Sequence, residues 1–204
     1  IIPEAQAVFD RAIAAYKGAK NYRETVVTTL RQKASGLPKE AEPPADQAST
    51  TTFIWVGPER FAVDTRDFGL YRDGKESIIS VKSLGEYVQR EPSEEDQRVF
   101  ANMIDLNPVY QAITHAEPGS TIGRVATVKK VQAETLGGVK GKRLTGTGLP
   151  PLPGFIVASP VTMFFADDSG LLTQATYDLK RVMQDQIDKS RAANPTAPVI
   201  TINE

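Results

Sequence analysis

Thr50-Thr51-Thr52-Phe53-Ile54-Trp55-Val56-Gly57-Pro58-Glu59-Arg60-Phe61-Ala62-Val63-Asp64-Thr65 reads as two strands and the turn that joins them. Phe53 and Trp55 recur at period two, and so do Phe61 and Val63, so each strand presents large apolar side chains to one face. Gly57-Pro58-Glu59 breaks the pattern with residues that suit a turn and not a ladder. The stretch predicts an antiparallel pair with an apolar face.

The pattern continues on both sides. Phe68–Arg72 and Ser77–Lys82 flank Asp73-Gly74, a hairpin signal because both residues tolerate positive φ. Leu84–Arg90 adds a short strand. Upstream, Tyr22–Gln32 is rich in threonine and valine and predicts another. Residues 34–48 hold three prolines, acids and small side chains, and read as a flexible loop. Before them, Ala5, Val8, Phe9, Ala12, Ile13 and Tyr16 form one helical face, so a helix is predicted over roughly 4–19.

Ser93-Glu94-Glu95-Asp96 has the form of a capping box and predicts a helix start. Val99, Met103, Leu106, Tyr110 and Ile113 then form an apolar stripe that Asn107-Pro108 interrupts. Strands resume at Val125–Ala133 and Val139–Thr147 around Gly137-Gly138, and at Val161–Ala166 and Leu171–Tyr177 around Asp167-Asp168-Ser169-Gly170. Residues 180–204 read as a C-terminal helix followed by a last strand. Short hairpin connections dominate and strands do not alternate with helices. This predicts an α+β fold in one domain over 1–204, with an antiparallel sheet.

The 204 residues carry 24 lysines and arginines against 25 acids, a balance that offers nucleic acid no electrostatic footing. No apolar run is long enough to span a bilayer as a helix. The start at Ile1-Ile2-Pro3-Glu4, without an initiator methionine, reads as that of a processed or trimmed chain, and the expectation is that a signal peptide has been removed. With no cysteine, thiol nucleophiles, thiolate metal sites and disulfides are excluded. His115 is the single histidine, so any Ser-His-Asp arrangement depends on it, and no G-x-S-x-G elbow accompanies it. Glu94-Glu95-Asp96 and Asp167-Asp168 are better explained as helix-start charge and turn chemistry than as metal ligands. Gly138-Val139-Lys140-Gly141-Lys142-Arg143 departs from a phosphate loop, since Leu136 stands where a glycine is required. No catalytic residue, metal or cofactor is expected. Lys129, Lys130, Lys140, Lys142 and Arg143 make a basic pair of strands, read as a solvated face or as a docking patch for an acidic partner or anionic lipid.

In order and spacing these motifs resemble the LolA-like family of periplasmic lipoprotein carriers and their uncharacterised envelope relatives. The resemblance covers nearly the whole chain. It rests on the N-terminal helix before Asn21-Tyr22, the strand turn from Phe53 to Phe61, the hairpin Tyr71-Arg72-Asp73-Gly74-Lys75, the strand at Tyr87, Val139-Lys140-Gly141 with Leu144, and Phe164 to Leu171 with Asp178. Just before the turn proline the carriers have an arginine, and this chain has Gly57. The resemblance implies a strongly curved, unclosed, half-barrel sheet with helices packed on its concave face. It also implies a bacterial, extracytoplasmic, monomeric protein that does no covalent chemistry and holds lipid or lipoprotein acyl chains in an apolar cavity. The lining expected for that cavity is Phe53, Trp55, Phe61, Val63, Met103, Leu106 and Phe164. The other reading is an accessory domain of a larger envelope protein, beside a thioredoxin-like domain for instance, with a filled core and an envelope protein as partner.

Overall fold

The computed structural model describes residues 1–31, 33–36, 46–56, 59–96, 125–150, 157–194 and 199–202. In chain order the elements are α1 (Pro3–Gly18), β1 (Tyr22–Arg31), β2 (Ala34–Ser35), β3 (Asp46–Trp55), β4 (Phe61–Asp64), β5 (Phe68–Arg72), β6 (Ser77–Val81), β7 (Glu86–Arg90), β8 (Val125–Leu136), β9 (Val139–Gly148), β10 (Ser159–Ala166), β11 (Leu172–Tyr177), α2 (Lys180–Ala193) and β12 (Thr201–Ile202). The chain divides into two compact units.

One unit comprises Ala19–Lys33 and Pro43–Ile104. It holds a six-stranded sheet in the order β1-β3-β4-β5-β6-β7, antiparallel throughout. Phe53 stands opposite Val63, and Val63 opposite Leu70. All three are buried, as is Phe61. The alternation seen in the sequence therefore sets the buried face of this sheet. The sheet ends at Arg90, and a capping box follows as expected: the Ser93 amide donates to Asp96 Oδ2 at 2.8 Å and the Asp96 amide donates to Ser93 Oγ at 3.3 Å.

The other unit comprises Ile1–Gly18, Ala34–Glu42 and Asp105–Glu204. Its main sheet runs β11-β10-β9-β8. Gly137 and Gly138, at φ 57° and 86°, turn β8 into β9. Irregular steps between Val125 and Thr127 and between Val128 and Lys130 put Val125, Val128 and Val131 opposite Gly148, Gly146 and Leu144. These three valines, three residues apart, share a face that an unbroken strand would deny them. That face also carries Val161, Met163 and Phe165, and α1 lies on it: the Phe9 and Phe165 rings meet edge to face at 5.8 Å, and the Leu172 amide donates to the Tyr16 hydroxyl at 3.1 Å. Ala5, Phe9, Ala12 and Tyr16 of α1 are buried, as is Val182 of α2.

Both main sheets are antiparallel and unclosed, the class expected from the sequence. The main strands form two ladders: short connections join β3 to β7, β8 to β9 and β10 to β11, ten residues link β9 to β10, and residues 91–124 separate β7 from β8. The expected loop over 34–48 needs correction at both ends. Ala34–Ser35 pairs with Thr201–Ile202, and β3 begins at Asp46, extending its ladder with β1 out to the Arg31–Asp46 pair. The helical stripe from Val99 to Ile113 and His115 lie outside the described residues.

Candidate functional site

The six-stranded sheet has a second face, and across it runs a row of direct cross-strand partners. Arg23 is opposite Ile54, Ile54 opposite Ala62, Ala62 opposite Tyr71, Tyr71 opposite Ile78, and Ile78 opposite Gln89. Ile54, Ala62, Tyr71 and Ile78, with Val56, line an open trough of about 280 Å³. Its length from Ile54 to Ile78 is three strand spacings, roughly 14 Å.

One flank is polar and held rigid. The next row along the strands pairs Thr52 with Asp64, Asp64 with Gly69 and Gly69 with Ser80. The Tyr71 ring lies over Gly69, where a Cβ would come within 2.7 Å of the ring, and its hydroxyl donates to Asp64 Oδ1. Lys82 Nζ lies 2.6 Å from the same oxygen and donates to the Thr65 carbonyl at 2.8 Å. The Lys82 ammonium and then the Tyr71 hydroxyl hold the Asp64 carboxyl below its ordinary range. In return, chiefly through its hydrogen bond to Asp64, the Tyr71 phenol is pushed up to about 12.

The other flank is charged: Arg60, Arg72, Asp73 and Glu76 line it. Arg72 pairs with Glu59 at 2.7 Å and stands 5.8 Å from the centre of the Phe61 ring. Asp73 accepts from the Lys75 and Glu76 amides at 2.9 and 3.0 Å, an Asx turn that holds its carboxyl below the usual range. Glu76 accepts from Gln89 at 2.7 Å. Nothing on this face unites an acid, a base and a nucleophile, and no metal-ligand group occurs among the described residues.

The residues expected to line a cavity fall in different places. Phe53, Phe61 and Val63 are buried, and Trp55 is opposite Phe61 on the same face. Phe61 also borders the trough. Phe164 belongs to the other unit. It lies on the sheet face opposite Met163 and Phe165, over Gly141, where a Cβ would meet its ring at 2.6 Å. Met103 and Leu106 lie outside the described residues. Of the basic strands, Arg143 is spent on Glu134, with its Nη2 donating at 2.6 Å, while Lys129, Lys130 and Lys140 are exposed. The trough itself is absent from the expected lining. Its signal was the unbroken apolar run Phe53-Ile54-Trp55-Val56, which makes β3 apolar on both faces.

No family model matches the chain, and no curated protein matches it significantly. Among solved structures, LprF from Mycobacterium bovis matches over 87% of this chain and 87% of its own, with a TM-score of 0.52 and 16% identity. The chain shares the fold of LprF. A LolA superfamily protein from Nitrosomonas europaea matches over 85% of this chain and 70% of its own, at 13% identity and a TM-score of 0.29, a looser superposition. The antiparallel α+β fold expected from the sequence is thus borne out, and the likeness to LprF is one of fold. No described helix is long and apolar enough to cross a membrane.

Proposed function

We propose that this chain is a non-catalytic binding protein for hydrophobic ligands, of the class of lipid or lipoprotein acyl chains, working in the periplasm or an equivalent extracytoplasmic space of a bacterium. One observation carries the reading: the trough of aliphatic side chains and one tyrosine across the six-stranded sheet, bordered by polar groups on both flanks. Each methylene moved from water into such a site contributes about 0.8 kcal/mol. A row of cross-strand partners offers an extended chain contact along its whole length. The resemblance to lipoprotein carriers agrees with this chemistry. Phe61 joins the expected lining to the trough, while Phe53 and Val63 stabilise the opposite face of the same strands.

Protein purified under native conditions should release lipid detectable by mass spectrometry. Ile54→Asp together with Ile78→Asp should remove it while the circular dichroism spectrum is kept. Equal lipid content in the double variant would overturn the assignment to this trough.

A second reading, an accessory domain of a larger envelope protein, is favoured by the sheet edge at β7. Tyr87 is 69% and Val88 58% exposed there, and β7 has no neighbour beyond it among the described residues.

A further inference from the structure

The charged flank of the trough is unevenly committed. Asp73 is engaged by two backbone amides, Glu76 by the Gln89 side chain, and Arg72 by Glu59 and by the Phe61 ring. Arg60 differs. It lines the same trough, its side chain is exposed, and among the described residues that side chain makes no hydrogen bond or ion pair; its charge is felt through space at Asp73. Its place is set by the backbone, since the Val56 amide donates to the Arg60 carbonyl at 2.8 Å as β3 turns back into β4. By the strand period Arg60 shares a face with Ala62, the middle of the apolar row. A guanidinium two residues from an aliphatic floor, with five donors and no partner among the described residues, is matched by a flat or tetrahedral oxyanion.

We infer that the trough takes an amphiphile with one aliphatic chain and an anionic head, the chain lying on Ile54, Ala62 and Ile78 and the head, a carboxylate or a phosphate, held by Arg60. This rests on the reading of the trough as a hydrophobic-ligand site and specifies the polar end of that ligand. Polar contacts at such a rim orient a ligand whose affinity comes mainly from apolar burial.

Isothermal titration calorimetry with dodecanoate, dodecyl phosphate, dodecan-1-ol and dodecyltrimethylammonium, each below its micelle concentration, tests it. At least one anion should bind about fivefold tighter than the alcohol and the cation, the scale of one partly exposed ion pair. Arg60→Gln should abolish that preference and Arg60→Lys should keep part of it. Circular dichroism checks folding, which an exposed side chain should leave intact. Preference for dodecanoate alone points to a free fatty acid, and for dodecyl phosphate alone to a phospholipid-type head; either supports the inference. Equal binding of the four probes, tighter binding of the cation, or an anion preference that survives Arg60→Gln overturns it and leaves the hydrophobic-ligand reading standing. Binding of none of them overturns both.

Discussion

The Tyr71 hydroxyl donates to the Asp64 carboxylate by laying its ring across Gly69, the cross-strand partner of Asp64. A glycine in a strand interior is normally a loss. Here a Cβ at position 69 would stand 2.7 Å from Tyr71 Cε2, so the missing side chain is what lets the ring lie down. Gly69→Ala should therefore destabilise the protein when Tyr71 is present and be near neutral in a Tyr71→Ala background. Tyr71→Phe alone should cost about 1 kcal/mol, in the lower range for a bond to a charged group because the ring is partly exposed. Urea unfolding of the four-member cycle measures the coupling, and additive losses would refute it.

The same contact sets an alkaline limit. A phenol raised from 10.0 to about 12 in the folded state contributes stability that is complete below pH 10 and is lost as pH rises through 12. The wild type should lose its advantage over Tyr71→Phe within that window, and the difference in phenolate absorbance between the two should show Tyr71 ionising late. Asp64 works in the opposite direction. With its carboxyl depressed by Lys82 and Tyr71, its contribution is present above the unfolded value near 3.9 and is lost as pH falls below it.

Asp96 is buried, with Arg90 Nη2 at 2.6 Å and the Ser93 amide at 2.8 Å. Burial pulls its carboxyl upward, but the Ser93 amide, the Ser77 hydroxyl and the Arg90 charge together hold it below the ordinary range. Its stabilisation is accordingly lost as pH falls below about 4. Asp96→Asn should cost about 2 kcal/mol near neutrality and flatten the acid limb of the stability profile. Ser93→Ala should cost about 1 kcal/mol, with that limb retained. Chemical denaturation across pH distinguishes the two.

In the other unit, Phe9→Ala should cost about 3 to 5 kcal/mol, because the ring is fully buried against Phe165. Gly141→Ala should cost about 2 kcal/mol by crowding, since its Cβ would fall 2.2 Å from the Phe165 carbonyl oxygen. Far-ultraviolet circular dichroism in urea reads both, and a neutral Gly141→Ala would show that β9 and β10 can move apart.

Features made by neighbouring residues were legible in the chain. Asp73-Gly74 and Gly137-Gly138 are turns because turn chemistry is local, and Ser93 with Asp96 is a capping box because its bonds span three residues. Strand alternation marked Phe53, Phe61 and Val63 as buried for the same reason. The valines of β8 were harder, because Val125, Val128 and Val131 step by three and two irregular pairings with β9 were needed to bring them to one face.

The order of hairpins and the apolar alternation thus settled, from sequence alone, an antiparallel α+β protein without the residues for thiol chemistry. Tertiary structure decided the rest. It joined Ala34–Ser35 to Thr201–Ile202 across most of the chain, split the strands into two ladders, and set Ile54, Ala62, Tyr71 and Ile78 side by side. Periodicity within one strand says which residues share a face. Which residues of different strands share a row depends on register, and register is a property of the assembled sheet.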